Sequence, residues 1–259
     1  MILKKIVEAT KLRVEAGKAL QSLKGLELQL SQNADKPRPF AASLKHADRL
    51  GLIAEIKKSS PSKGLIAPDF DHRKVAEIYR DSKADCLSVL TEPDFFEGEL
   101  HYLTEARQLS GKPCLRKDFI IDEWQIAEAR LAGADCILLI AAILSDWEIR
   151  CFKAAAKRYG MDALVEVHDA EEARRAVANG CNFVGINNRN LKTFEVDLAT
   201  TEKVRPLLGD DVIVVGESGV FTNADAKRLR NAGVDALLVG ESLMRSENPI
   251  ASIEELLKW

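Results

Sequence analysis

Residues 52–258 alternate between short apolar runs and amphipathic stretches, and no other feature of this 259-residue chain limits its fold so strongly. The runs lie near 52–57, 86–90, 113–116, 136–140, 163–167, 183–187, 212–216 and 236–239, and read as strands buried on both faces. Helical spacing follows each of them, near 71–82, 99–109, 122–132, 145–159, 169–179, 197–207, 222–232 and 250–258. Several of these stretches open on a capping residue, such as Asp122, Ser145 or Thr222. A faint repeat marks the unit. Lys83-Ala84-Asp85-Cys86, Gly133-Ala134-Asp135-Cys136, Gly180-Cys181-Asn182-Phe183 and Gly233-Val234-Asp235-Ala236 each close a helix and open an even-numbered strand. They recur at about two βα units. Strict alternation implies a parallel sheet covered by helices, and eight units predict an α/β fold closed into a (β/α)8 TIM barrel. An open doubly wound sheet is the alternative, but no Gly-x-Gly-x-x-Gly follows the first strand.

Ahead of the repeat, residues 1–30 carry apolar residues at helical spacing, and 41–50 predict a second short helix behind Lys36-Pro37-Arg38-Pro39. The expected organisation is one barrel domain over 1–259, with 1–50 a helical extension packed on it. A net charge of −3 with both signs interspersed offers no footprint for nucleic acid and no polybasic membrane anchor. The longest apolar run, 136–144, is too short to span a bilayer, and residues 1–18 alternate charge with apolar residues unlike a signal peptide. A cytoplasmic protein is expected. Its oligomeric state is left open, and the sequence is compatible with a monomer. Cys86, Cys114, Cys136, Cys151 and Cys181 contain no Cys-x-x-Cys pair and read as small buried hydrophobes. His46, His72, His101 and His168 are scattered along the chain without a metal-binding spacing.

The first strand ends abruptly in charge. In LIAEIKKSSPSKG, residues 52–64, Glu55 and Lys57 share a face, because strand residues two apart point the same way. Facing outward they are a surface ion pair; facing inward they must be paired or used. The other strands favour the second reading. The third runs into Arg116-Lys117-Asp118, the fifth carries Glu166, and the seventh runs into Glu217-Ser218-Gly219. Side chains of one interior barrel layer come from alternate strands, so these groups meet in a common layer at the C-terminal face, joined by Asn187 and Arg189 of the sixth strand. Carboxylates beside two lysines suit proton transfer on an anionic small molecule. A phosphate group would be held separately by backbone N–H groups and hydroxyls of Ser60 and Gly64, Ser218-Gly219 and Gly240-Glu241-Ser242. The Glu241 carboxylate counts against the last of these loops if it faces the anion.

With these residues in place, the chain resembles the indole-3-glycerol phosphate synthase family of tryptophan biosynthesis from about residue 52 to 245. The resemblance rests on AEIKKSSPSKG (54–64), SVLTEPDFFEG (88–98), LRKDFIID (115–122), LVEVHD (164–169), GINNRNLKTFEVDL (185–198), GESGV (216–220) and LVGESLMR (238–245). It implies a carboxy-lyase that cyclises 1-(2-carboxyphenylamino)-1-deoxyribulose 5-phosphate with loss of carbon dioxide and water. It further implies that Lys117 is the general acid of ring closure, that Glu166 is the acid/base glutamate, and that Glu55 and Lys57 position the substrate and assist. Asn187, Arg189, Glu217 and Ser218 match the polar ring, Ser60, Gly219 and Gly240 the phosphate contacts, and Phe96, Phe119 and Leu138 the apolar enclosure of the anthranilate ring. Such chemistry has no redox step and needs no nicotinamide, flavin or metal cofactor. Either Lys57 or Lys117 is available to assist the dehydration. Among rivals, phosphoribosylanthranilate isomerase would place a cysteine near the end of the first strand and an aspartate on the sixth, where Glu55, Lys57 and Asn187 stand. A Schiff-base aldolase would use one of the lysines as nucleophile, and a non-catalytic sugar-phosphate-binding barrel would dispense with some of the charges.

Overall fold

Runs of leucine, isoleucine and valine form strands almost where their spacing places them. The computed structural model of the chain describes residues 2–33 and 35–258, so Met1 of the expected first helix lies outside the described residues. The strands are β1 Gly51–Ile56, β2 Cys86–Leu90, β3 Cys114–Lys117, β4 Cys136–Ile140, β5 Asp162–Val167, β6 Phe183–Asn187, β7 Ile213–Glu217 and β8 Ala236–Val239. Among the described residues these eight pair in parallel in chain order, and β1 closes the barrel against β8. The helices are α1 Ile2–Leu20, α2 Leu23–Gln32, α3 His72–Arg80, α4 Pro93–Phe96, α5 Leu100–Ser110, α6 Glu123–Leu131, α7 Asp146–Arg158, α8 Ala170–Ala178, α9 Ala199–Val204, α10 Asn223–Asn231, α11 Glu241–Met244 and α12 Pro249–Leu256. Pro206, which lacks an N–H, shortens the expected helix at 197–207 to α9 and a 3-10 turn, Arg205–Leu207.

The aspartates of the repeat have a common task. Asp85, Asp135 and Asp235 precede β2, β4 and β8, and each accepts a backbone N–H near the start of the preceding odd strand, from Leu52 (2.8 Å), Cys114 (2.8 Å) and Val214 (2.7 Å). They fasten the N-terminal rim of the barrel, where an unpaired N–H would otherwise be left.

Strand parity then sorts every side chain. Ile53, Leu115, Leu164 and Val215 fill the barrel interior, whereas Leu52, Ala54, Cys114, Val165 and Val214 pack outward under the helices. One step of two residues further along the odd strands come Glu55, Lys117, Glu166 and Glu217. The period that makes a core at the bottom of the barrel makes a polar layer at its top.

Two expectations for the first fifty residues need correction. The helical stretch at 1–30 is broken at Ser22, which caps α2 by accepting the Gly25 N–H at 3.2 Å. Residues 41–50 are not a helix beyond the 3-10 turn Ala42–Leu44. Phe40 and Leu44 are instead fully buried in the lower barrel core with Ile53, Cys86 and Phe183, and the Phe40 and Phe183 rings lie 6.2 Å apart. Closing the barrel floor buries more apolar surface than one more helical turn would. Gly51 allows the return, since a Cβ there would lie 2.5 Å from the Leu44 carbonyl oxygen.

The cysteines behave as packing residues. All five are free thiols, Cys86 and Cys136 inside the barrel and Cys114 on the helix side, and burial pushes these three thiols well above the ordinary range. Cys114→Ala and Cys136→Ala are expected to lose about 1 kcal/mol or less of stability each in denaturant unfolding, with kcat retained. A collapse of kcat in a folded variant would overturn this reading.

Candidate active site

Of the residues nominated from the sequence, Glu55, Lys57, Ser60, Phe96, Lys117, Phe119, Leu138, Glu166, Asn187, Arg189, Glu217, Ser218, Gly219, Gly240, Glu241 and Ser242 line one cleft at the C-terminal mouth of the barrel, whereas Gly64 is exposed on the hairpin after β1 and does not reach it. At its base, Lys117 Nζ donates to Glu166 Oε2 at 3.0 Å and lies 3.4 Å from Glu217 Oε2, while Lys57 Nζ donates to Glu55 Oε1 at 2.5 Å. Ser88 on β2 donates to the other oxygen of Glu55 at 3.3 Å. Two glycines make room. A Cβ on Gly185 of β6 would lie 2.0 Å from Glu217 Oε1, and one on Gly240 would lie 2.5 Å from Glu55 Oε1.

Burial alone would drive the Lys117 ammonium toward neutrality, but the carboxylates of Glu166, Glu217 and Glu55 outweigh it and hold the amine charged well above its ordinary range. Glu166 is likewise penalised by burial, and Lys117 and His168 overcome the penalty and keep it ionised. Glu217 goes the other way. Burial lifts its carboxyl above the usual range, and the neighbouring Glu166 and Glu55 carboxylates offset the pull of Lys117. With Glu166 and Glu55 close by, the protonated form of Glu217 is favoured over a further negative charge at the base of the cleft. The buried Oε1 of Glu217 has no hydrogen-bond partner.

Not every charge at the strand ends turns inward. Arg116, one residue before Lys117, has the opposite parity and lies between the barrel and α6, donating to Glu128 Oε2 (2.8 Å), Gln125 O (3.1 Å) and Thr91 Oγ1 (3.2 Å). Asp118 joins this outer network, accepting from Thr91 Oγ1 at 2.6 Å and from the Phe119 N–H at 2.8 Å. It shapes the turn after β3 that carries Phe119, whose ring centre lies 6.1 Å from that of Phe96. Phe96 ends α4, a helix capped by the buried Glu92, and Glu92 in turn pairs with Arg13 of α1 at 2.8 Å.

Above the polar layer the loops supply anion-binding groups. The chain after β1 folds into a small antiparallel ladder, Ser59–Ser60 against Gly64–Leu65, which places Ser60 on the cleft. Ser218 and Gly219 follow β7 with φ of 63° and 81°. A Cβ on Gly219 would meet Val196 Cγ1 at 2.6 Å, so this turn needs glycine for space as well as for conformation. Glu241 does face the cleft, but three cations surround its carboxylate: Lys63 (3.4 Å), Arg245 (3.5 Å) and Arg189 (3.6 Å). The charge that counted against this loop is neutralised by Arg245 four residues on and by Lys63 and Arg189, which are distant in the sequence.

Several lining residues carried no signal. Ile2, Leu3 and Ile6 of α1 lie over the mouth, and helical spacing says nothing about which surface a helix covers. His168 was missed, although its place two residues beyond Glu166, as Lys57 stands beyond Glu55, was a usable signal. Its Nε2 lies 3.1 Å from Glu166 Oε1 and its Nδ1 3.0 Å from Glu172 Oε2. The histidines are also less scattered than the sequence suggests. His72 and His101 come together beside Glu105 and Tyr102, with ligand atoms of the three ionisable groups within 4.8 Å of one another, though Arg73 pairs with both oxygens of Glu105.

Residues 3–256 match the family model described as indole-3-glycerol phosphate synthase. The chain belongs to this family. A relative of that name from Acetivibrio thermocellus is 45% identical over 256 residues, covering 98% of each chain. Another, from Azospirillum brasilense, is 46% identical over 259 residues, covering 99% of this chain and 98% of its own. A third, from Desulfotalea psychrophila, reaches 53% over 209 residues, 81% of this chain and 80% of its own. Among solved structures, a 3-hexulose-6-phosphate synthase matches with a TM-score of 0.60 at 20% identity, over 80% of this chain and 98% of its own, a likeness of fold alone.

Proposed function

We infer that the chain acts as its family does, closing 1-(2-carboxyphenylamino)-1-deoxyribulose 5-phosphate to indole-3-glycerol phosphate in tryptophan biosynthesis. The observation that carries the residue assignments is the layer of Glu55, Lys117, Glu166 and Glu217 contributed by alternate strands, with Lys57 above it. The substrate's phosphate lies among Ser60, Ser218, Gly219, Gly240 and Arg189, while Phe96, Phe119 and Leu138 enclose its anthranilate ring. Glu241 holds Arg189, Lys63 and Arg245 at the phosphate end of the cleft. Asn187 orders the loop after β6, its Oδ1 accepting the Arg189 N–H at 3.0 Å.

In ring closure the ring carbon bearing the carboxylate attacks the ketone, and Lys117 protonates the developing alkoxide. An amine with a raised pKa still suffices, because an alkoxide is the stronger base. Carbon dioxide then leaves and the ring regains its electrons. In the dehydration a lysine protonates the departing hydroxyl and Glu166 removes the proton that completes the indole. The extension of 1–50 belongs to the same folded unit, since Ile2, Leu3 and Ile6 roof the mouth while Phe40 and Leu44 close the floor. The ligand is a small anion. Among the described residues no helix is long and apolar enough to cross a membrane.

The purified protein given this substrate should produce indole fluorescence, and no product would reject the reading. A covalent adduct trapped by borohydride would favour the aldolase alternative instead. Inorganic phosphate or sulfate should compete with substrate. Gly219 is a poor test of the phosphate site, because any side chain there is strained, whereas Arg189→Ala removes one charged hydrogen-bond donor. It should raise KM by about 10- to 100-fold with a smaller change in kcat. An unchanged KM would remove Arg189 from the phosphate site.

A further inference from the structure

His168 is a largely buried ionisable group in contact with Glu166 that the reaction just described leaves without a task. It follows β5 directly, and its side chain is only 11% exposed. Both ring nitrogens face carboxylates: Nε2 lies 3.1 Å from Glu166 Oε1 and Nδ1 lies 3.0 Å from Glu172 Oε2. A neutral imidazole has one N–H and would present a lone pair to one of the two oxygens, so this arrangement calls for the doubly protonated ring. Glu172 is fixed in turn. It lies in the first turn of α8, where its own N–H is capped by Asp169 at 2.9 Å, and its Oε2 accepts the His168 backbone N–H at 2.8 Å. The backbone of the β5–α8 connection thereby sets where the ring stands.

Glu166 is held between two cations, Lys117 on Oε2 and His168 on Oε1. We propose that His168 is a positioning residue, a fixed cation anchored by Glu172 that turns Glu166 toward Lys117 and keeps it ionised for proton removal. Lys117 has to serve the substrate during ring closure, and its bond to Glu166 is then disturbed. His168 does not touch the reacting atoms in this scheme, so it can hold the second oxygen throughout. The Nε2 contact is an ion pair rather than an aligned hydrogen bond, since Nε2 has no hydrogen-bond partner. Its effect on Glu166 is thus mainly through charge. Burial opposes a charge on the ring, and the two carboxylates override it, raising His168 to about 10, so the cation persists through the neutral range. The other charged groups on the cleft beside His168 are Lys4, Glu8 and Lys11 of α1, Asp169 at the cap of α8, and Lys192, Glu195 and Asp197 of the β6 loop. All are exposed and of mixed sign, so solvent and salt screen them.

The inference rests on Glu166 handling a proton, and the experiment separates the two. Full-length wild type, His168→Asn, Glu172→Gln and Glu166→Gln are compared by steady-state kinetics with the ribulose phosphate substrate across pH, with circular dichroism as the check on folding. Taking a cation away from Glu166 makes it easier to protonate. The acid limb of the kcat profile should therefore move to higher pH by about one unit in His168→Asn, with kcat at its optimum lowered about 10-fold or more and KM little changed. Glu172→Gln should move the limb the same way by less, and the double variant should go no further than His168→Asn alone. The single variant Glu172→Gln decides the matter if His168→Asn fails to fold. An acid limb that stays in place in folded His168→Asn, or in Glu172→Gln where His168→Asn does not fold, overturns the proposal. If Glu166→Gln retains wild-type turnover, the assignment of Glu166 itself has failed, and the positioning role falls with it.

Discussion

Lys117→Ala is expected to lower kcat by about 10²- to 10⁴-fold, a barrier increase of roughly 2.7 to 5.4 kcal/mol, with KM changed by only a few-fold. The amine sits at the end of β3 among Glu166, Glu217 and Glu55, charged before substrate arrives, and its bond to the ketone oxygen strengthens as the alkoxide forms. An interaction stronger in the transition state than in the ground state appears in kcat. Removing the cation also leaves Glu166 and Glu217 facing each other without their shared partner, so protonation of Glu217 becomes still more favoured. Lys117→Arg should fail as well, because guanidinium keeps the charge but does not release a proton at working pH. The measurement is single-turnover cyclisation at saturating substrate. Near wild-type rates in the alanine variant would sink the assignment, and near wild-type rates in the arginine variant alone would make Lys117 an electrostatic anchor instead of an acid.

Glu166→Gln should lose turnover by on the order of 10²-fold or more while keeping substrate affinity. The amide has the shape of the carboxylate and still accepts from Lys117, but it cannot take a proton. Glu217 is a poor substitute despite its nearness, since burial and the neighbouring carboxylates raise its carboxyl and favour the protonated form, which is no base. If Glu166 acts in the dehydration, rapid-quench measurements should show carbon dioxide released ahead of indole in the variant. Slowing of both together would place its role at ring closure, and a raised KM with kcat intact would make it a binding residue only.

The closed barrel and its polar layer were legible in the sequence because both depend on the local two-residue period of a strand. Where Leu115 and Leu164 are core, Lys117 and Glu166 must lie on the same side, one step nearer the mouth. The aspartates of the repeat were legible as punctuation, and their shared bond to the neighbouring strand appeared only with the strands side by side. Tertiary structure alone decided the fate of individual charges. Arg116 and Lys117 are consecutive basic residues whose opposite parity sends them to opposite faces, but that Arg116 meets Glu128 and Thr91 while Lys117 meets Glu166 and Glu217 appeared only with the elements side by side. Glu241, an unfavourable residue for anion binding when read alone, is neutralised not only by Arg245 four residues on but by Lys63 and Arg189 from two separate stretches. The raised carboxyl of Glu217, the placing of His168 between Glu166 and Glu172 and the roof formed by Ile2, Leu3 and Ile6 belong to the same class. A strand's facing is set by neighbours in the chain, but a group's charge and a helix's resting place are set by neighbours in space, and the sequence does not say who those are.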